Sequence, residues 1–202
     1  MVRLLLTALL LFYSLTSAFA QTARFQLPPP KDTAEARRFA FFAYDPNLPL
    51  NVTQKVKEDT ATRTRYLLAF DSAHDQRVPA LLTVPKTHRA SHPAVILVHG
   101  SGGHKESSYI VFIGDQLVKA GFITLSIDTQ YHGDRAKKGV SSEIHMPDSY
   151  RMRDAWVQSV IDLRRCVDYL QSRSDVLADK IGYMGFSQGA MLGSVLGGVE
   201  GR

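Results

Sequence analysis

One serine lies in a setting that favours nucleophilic chemistry. Ser187 is the centre of a G-x-S-x-G sequence, with Gly185 and Gly189 on either side. The segment 180–184 before it has the pattern of a strand, and the segment 188–199 after it has that of a helix. In such a tight turn the serine hydroxyl is pushed outward, because both glycines lack side chains where the backbone crowds itself. The free N–H groups at the start of the helix would face an oxygen that becomes negative during acyl transfer.

A second glycine-rich segment supplies what that oxygen needs. The sequence L-V-H-G-S-G-G at 97–103 follows directly on the apolar run 94–98. A turn that begins at Gly100 can aim a backbone N–H group into the same site. The N–H of Ser101, together with that of Gln188, would then form an oxyanion hole.

No general base for Ser187 is evident in the sequence. The chain has seven histidines, at positions 74, 88, 92, 99, 104, 132 and 145, and all of them precede the serine. Fifteen residues follow Ser187, and none of them is His or Asp. Glu200 is the sole carboxylate there and is set aside, because it lies near the end of the chain. His104 and His132 are interpreted as surface or loop-bracing residues in preference to pocket-lining ones.

Charged residues follow the strand predicted at 123–127. Asp128, Asp134 and Arg135 lie in the loop after it, and loops in this position shape substrate pockets. An Asp–Arg pair in such a loop more often braces the backbone than reacts. These three residues are therefore kept out of the catalytic set.

The elements that would position these residues alternate along the chain. Short apolar or alternating runs bounded by turn residues predict strands at 63–70, 77–84, 94–98, 123–127 and 180–184. Apolar positions three and four residues apart predict helices at 108–120, 149–170 and 188–199. Possible capping residues are Ser107 or Ser108 for the first helix and Asp148 or Ser149 for the second, and Gly121 follows the first helix. Strand–helix alternation implies a parallel sheet with helices on its faces, and the first two strands form a hairpin.

Three motifs in this frame resemble a known superfamily. They are H-G-S-G-G at 99–103, D-T-Q-Y-H-G-D-R at 128–135 and G-F-S-Q-G at 185–189. With these motifs the chain from 62 to 199 resembles the α/β-hydrolase superfamily, and within it the branch similar to dienelactone hydrolases and acetyl xylan esterases. The resemblance implies a doubly wound, mostly parallel sheet with a leading antiparallel strand, in the order 1-2-4-3-5 and then 6, 7 and 8.

The resemblance also implies roles and a missing part. Ser187 would be the nucleophile, the amides of Ser101 and Gln188 would hold the oxyanion, and His99 would be a structural residue at the end of its strand. In this superfamily the acid and the histidine follow the nucleophile. They would then lie beyond residue 202, so the chain is expected to be the N-terminal part of a hydrolase domain, 62–202, and inactive by itself.

The first twenty residues have the pattern of a signal peptide. Arg3 precedes an apolar run from Leu4 to Tyr13, and Ala18-Phe19-Ala20 matches an A-x-A cleavage site. We predict cleavage after Ala20 and a secreted or periplasmic protein with no membrane attachment, the alternative being an uncleaved anchor. The proline-containing segment 21–61 is interpreted as an extension that wraps the domain, with a short helix at 33–42.

Composition limits the remaining classes of function. The chain has 202 residues, of which 45% are hydrophobic and 21% charged, with a formal net charge of +5. These values indicate a globular domain and exclude disordered, fibrous and multi-span membrane proteins.

No nucleic-acid motif is present. The expected partner is a small-molecule ester, and no metal or organic cofactor is expected. Alternatives are a prolyl-oligopeptidase-like peptidase, a lactone or thioester hydrolase, and a non-catalytic protein of the same fold.

Overall fold

The structure is a computed structural model that describes residues 32–142 and 148–202. The predicted signal peptide, 1–20, and His145 lie outside these ranges. None of the helices within them is both long enough and apolar enough to cross a membrane.

Strands and helices alternate as the sequence predicts. Within the described ranges the strands are β1 (Thr53–Asp59), β2 (Arg63–Ser72), β3 (Gln76–Pro85), β4 (His92–Val98), β5 (Ile123–Ile127) and β6 (Val176–Gly185). The α-helices are α1 (Thr33–Ala40), α2 (Ser108–Lys119), α3 (Ser149–Gln171) and α4 (Gln188–Val199). Each predicted strand and helix is present, and the boundaries differ by a few residues.

The strands form one mixed sheet in the order β1-β2-β3-β5-β4-β6. β4 pairs in parallel with β5 on one side and β6 on the other. β3 pairs antiparallel with both β2 and β5, and β1 pairs antiparallel with β2. Two strands, β1 and β3, therefore run opposite to the other four. From β2 onward this order is the predicted 1-2-4-3-5, which is confirmed.

β4 is buried on both faces, as its unbroken apolar sequence predicts. Ala94, Ile96 and Val98 face the larger core cluster, which includes buried residues of α3 and α4. Val95 and Leu97 face a smaller cluster with α2 on the opposite side. The sheet is thus covered on both faces near β4, and the ends of β4 and β6 meet at one edge.

The helix ends differ in how well the sequence predicts them. Asp148 caps α3, since its side chain accepts hydrogen bonds from the N–H groups of Tyr150 and Arg151. Gly121 follows α2 with φ +91°, as predicted for a C′ glycine. The capping role expected of Ser107 is wrong: Ser107 occupies the N-cap position of α2, but its hydroxyl accepts the N–H of His104 instead.

The segment before β2 contributes more to the sheet than the sequence indicates. Helix α1 lies within the predicted 33–42, but β1 was not predicted, because T-Q-K-V-K-E-D has no alternating apolar pattern. β1 is an edge strand, and its one apolar residue, Val56, is 59% exposed. Residues 42–49 of this extension contact α3. There the buried Arg165 guanidinium donates to the carbonyl of Leu48 at 2.7 Å, and the Tyr44 hydroxyl donates to Asp168.

Candidate active site

Ser187 lies on a strained turn between β6 and α4. Its backbone has φ +49° and ψ −113°, a conformation that L-residues rarely adopt. Such a conformation costs about 1–3 kcal/mol and persists only when the surroundings enforce it. Here the Phe186 N–H donates to the carbonyl of Val98 at 3.0 Å, and the Gly189 N–H donates to that of Phe186 at 2.8 Å. The turn leaves Ser187 exposed at the start of the helix.

The two motif glycines are required by close backbone approaches. A Cβ atom on Gly189 would lie 2.5 Å from the carbonyl oxygen of Val98. A Cβ atom on Gly185 would overlap the backbone of Gly189. The Tyr183 hydroxyl adds a hydrogen bond of 2.5 Å to the Gly189 carbonyl. The glycines therefore allow α4 to begin directly against the end of β4.

The turn after β4 lies beside Ser187. A Cβ atom placed on Gly100 would lie 3.2 Å from the Cβ of Ser187. The Gly100 carbonyl accepts hydrogen bonds from the Gly103 N–H at 3.0 Å and from Nδ1 of His99 at 2.7 Å. This carbonyl belongs to the same planar trans peptide group as the Ser101 N–H, which therefore points in the opposite direction. Fixing the carbonyl fixes the direction of that amide.

A hydrogen bond joins the side chains of Ser101 and Gln188, the two residues whose backbone N–H groups the sequence assigns to the oxyanion hole. The Ser101 hydroxyl donates to Oε1 of Gln188 at 2.9 Å, across 87 residues of sequence. Gln188 is buried at the first position of α4, where the N–H has no partner in its own helix. In the described part of the chain, neither the Ser101 N–H nor the Gln188 N–H donates to another residue. Both amides are therefore free to donate to an oxyanion.

His99 has the structural role that the sequence predicts. Nδ1 donates to a carbonyl, and Nε2 accepts the N–H of Thr129 at 3.3 Å, so a neutral ring fits both bonds. Burial lowers the pKa of His99 to about 4. The ring packs against His132, whose Nδ1 donates to the Gln130 carbonyl at 2.8 Å. Both side chains brace loops at the edge of the sheet where β4 and β5 end.

Ser187 has no basic partner among the residues that the structure describes. The histidines that form hydrogen bonds in these ranges do so with other groups. His74 contacts Gln158, His92 contacts the Gly121 carbonyl, and His104 accepts the Glu106 N–H. His99 and His132 make the contacts described in the preceding paragraph. Glu200 forms ion pairs with Arg164 and Arg202. Within these ranges, the candidate site consists of the exposed Ser187 and the unpaired N–H groups of Ser101 and Gln188.

The loop after β5 is braced around a carboxylate, as the sequence predicts for Asp128. This side chain is fully buried and accepts the N–H of Asp134 at 2.9 Å. Arg135 forms an ion pair of 2.6 Å with Asp162. Gly133 has a positive φ, +51°, and a Cβ atom at this position would overlap the Asp128 carboxylate. This loop is thus held by charge pairs on its inner side.

The sequence analysis did not identify Lys105, the cation that pairs with two carboxylates of this loop. Lys105 is 4% exposed and contacts the carboxylates of Asp128 at 2.8 Å and Asp134 at 2.7 Å. Burial lowers the pKa of Lys105, but hydrogen bonds and charges from the two carboxylates outweigh burial and raise it. The partners lie 23 and 29 residues away, so no local pattern could reveal the pair. Lys105 ties the turn after β4 to the loop after β5.

Two comparisons with known proteins found sequences that are similar to this chain. Residues 78–199 match the model of the dienelactone hydrolase family, and this range includes both glycine-rich turns and Ser187. The YtaP protein of Bacillus subtilis (strain 168) is 30% identical over 156 residues, which are 71% of this chain and 52% of that protein. The chain therefore spans about half the length of this relative.

Solved structures share the fold. An acetyl xylan esterase from Paenibacillus sp. R4 aligns with a TM-score of 0.67 and 22% identity, over 88% of this chain and 59% of that one. Acetyl xylan esterase 1 from Thermoanaerobacterium sp. JW/SL YS485 aligns with the same TM-score, identity and share of this chain, over 57% of its own length. The sheet is that of the α/β-hydrolase fold, and with the family match over 78–199 the chain belongs to the dienelactone hydrolase family.

Proposed function

We propose that the intact protein is an exported serine hydrolase that cleaves carboxylic esters through an acyl-enzyme on Ser187. The observation that carries this proposal is the placement of Ser187. It is exposed on a strained strand-to-helix turn, next to the Gly100–Ser101 peptide and the first residue of α4. Family membership and two esterases of the same fold support the choice of an ester over other acyl substrates.

The reaction would proceed in two steps. The Ser187 hydroxyl adds to the ester carbonyl as a base takes its proton, and the negative carbonyl oxygen is stabilised by the N–H groups of Ser101 and Gln188. Collapse of this intermediate releases the alcohol, which receives the proton, and leaves an ester on Ser187. Water then adds to that ester with the same base, and the carboxylic acid leaves as the serine is restored.

The base and the acid that orients it would come from residues outside those described. A serine hydroxyl is a weak nucleophile until a neighbouring group takes its proton. Without triad members, only a residual rate from the oxyanion hole and from binding remains. We therefore expect the polypeptide 21–202 to hydrolyse esters far more slowly than the intact protein in a parallel assay.

Export is proposed from the first twenty residues. Arg3, the apolar run 4–13 and the A-x-A sequence ending at Ala20 together support cleavage by a signal peptidase. N-terminal sequencing of exported material should begin at Gln21. Recovery of Met1 on a membrane-bound product would favour an anchor instead.

Hydrolysis of a short-chain aryl ester by the intact protein tests the proposed activity. Ser187→Ala should lose turnover by at least about a thousandfold, because the nucleophile is gone. Ser194→Ala is the matched control, since Ser194 lies exposed on the same helix and its hydroxyl donates only to the Met191 carbonyl. Equal rates in the Ser187→Ala variant and the wild type would overturn the proposal. Cleavage of a prolyl peptide but of no ester would favour the peptidase alternative.

A further inference from the structure

Tyr109 connects the two turns that meet at the site. It lies in the first turn of α2, and its hydroxyl accepts the N–H of Gly100 at 2.9 Å. Its ring packs edge-to-face against Phe186, with ring centroids 5.4 Å apart and an interplanar angle of 74°. Phe186 directly precedes Ser187 in the chain. One side chain thus contacts both the turn after β4 and the turn that carries the nucleophile.

The hydroxyl occupies space that the glycines leave open. Cβ atoms placed on Gly103 and Gly100 would lie 2.9 Å and 3.8 Å from the Tyr109 oxygen. The same position on Gly100 lies 3.2 Å from the Ser187 Cβ, so Gly100 neighbours both the phenol oxygen and Ser187. A turn with Gly100, Gly102 and Gly103 is easily deformed, because glycine has wide conformational freedom. A hydrogen bond from a helix side chain therefore helps to fix the conformation of this turn.

The hydrogen bonds on either side of Gly100 act together. Its carbonyl is held by His99 and Gly103, which sets the direction of the Ser101 N–H. Its N–H is held by Tyr109, so the peptide groups before and after this residue are both fixed. Loss of the Tyr109 hydroxyl would free the first of these groups and leave the second held only through its carbonyl, so that the Ser101 N–H is less sharply oriented.

We propose that Tyr109 is a positioning residue for the oxyanion hole. Its hydroxyl orients the Ser101 amide through Gly100, and its ring supports Ser187 through Phe186. This inference rests on the proposed function, because it concerns an amide that matters only when an oxyanion forms. Tyr109 therefore acts on the transition state and leaves the affinity for the unreacted ester unchanged.

Tyr109→Phe in the intact protein removes the hydroxyl and keeps the ring. Deleting a whole oxyanion donor costs a factor of about 100 to 1000 in kcat, and loosening one costs less, so we expect kcat to fall about tenfold with KM within about twofold. The Ki of a trifluoromethyl ketone should rise by the same factor as kcat falls, because its Ser187 adduct carries an oxyanion. Fluorophosphonate titration of active sites and the thermal transition separate this effect from partial unfolding.

Tyr150→Phe is the matched control, since Tyr150 is 72% exposed on α3 and its ring contacts Arg153. It should leave kcat, KM and Ki unchanged. A Tyr109→Phe variant with unchanged kcat and Ki would overturn the proposal while the proposed function stood. A rise in KM that matched the rise in Ki would also overturn it, because Tyr109 would then bind the substrate itself. Turnover that persisted in Ser187→Ala would remove the proposed function and this inference with it.

Discussion

The imidazole of His99 is buried at the end of β4, with a carbonyl on Nδ1 and an N–H on Nε2. Burial disfavours its charged form, and nearby His132 disfavours it further, whereas the Gly100 carbonyl and the Asp128 charge favour it. Burial is the largest of these effects, and the pKa falls to about 4. The neutral ring is thus part of the fold at the turn after β4.

This depressed pKa predicts a dependence of stability on pH. Between pH 6.5 and 4 the unfolded chain binds a proton at residue 99 that the folded chain does not bind. His99 therefore lowers the free energy of unfolding by about 1.4 kcal/mol for each unit that the pH falls in this window. Urea unfolding of His99→Asn should show a shallower pH slope than the wild type, and exposed His88→Asn should not. Equal slopes for His99→Asn and the wild type would contradict the assignment.

Lys105 allows a second prediction for a single residue. Lys105→Met leaves the Asp128 carboxylate buried without its cation, which typically costs about 3–5 kcal/mol. Asp134→Asn removes the other partner, whose side chain is 69% exposed, and should cost about 1 kcal/mol or less. Urea unfolding of both variants measures the difference. A Lys105→Met variant within about 1 kcal/mol of the wild type would show that Asp128 does not need the pair.

Single residues were predictable from the sequence where local geometry determines them. Ser187 and its two glycines form a motif whose spacing itself describes the turn. Tyr109 and Lys105 could not be found in this way, because a tyrosine in a helix and a lysine in a loop have no distinctive local pattern. Their roles come from partners that only the folded sheet brings near.

At the scale of elements, substitution by alanine should have opposite effects on stability at two of the glycines in helix α4. Gly189→Ala places a Cβ atom 2.5 Å from the Val98 carbonyl oxygen and 2.9 Å from that of His99. Because both neighbours are backbone atoms, we expect a loss of about 2–3 kcal/mol and a displaced helix start. Gly197→Ala meets nothing within 4 Å and should gain about 0.5–1 kcal/mol.

Urea unfolding and ester hydrolysis of the two glycine variants test this difference. Gly189→Ala should lose both stability and turnover, whereas Gly197→Ala should keep its turnover. Equal stability of the two variants would mean that α4 does not need its close approach to β4.

The two outer strands of the described sheet show why one was predicted and the other missed. β1 carries Lys55, Lys57, Glu58 and Asp59 and a bulge after Val56. Charges and bulges are features that protect an exposed edge from pairing with other chains. They also remove the apolar alternation by which a strand is recognised. β6 was recognised because the apolar segment 181–184 leads directly into the serine motif.

For the molecule as a whole, the strand order was predictable because few topologies suit alternating strands and helices. From β2 to β6 that order was confirmed. The packing of the extension on α3 was not predictable in detail, because it depends on Arg165 reaching backbone carbonyls of residues 48 and 49. The sequence thus predicted the strand order and the turn that carries Ser187, and the structure added the residues that hold them together.

The central claim is that Ser187, which its strained turn exposes, is the nucleophile of the intact protein. The most direct test is to treat the intact, exported protein with a fluorophosphonate and to map the modified peptide by mass spectrometry. We expect one adduct on Ser187, which forms by displacement of fluoride, and no adduct in Ser187→Ala. Labelling of another residue at the same rate, or an unmodified Ser187 in protein that hydrolyses esters, would contradict the account.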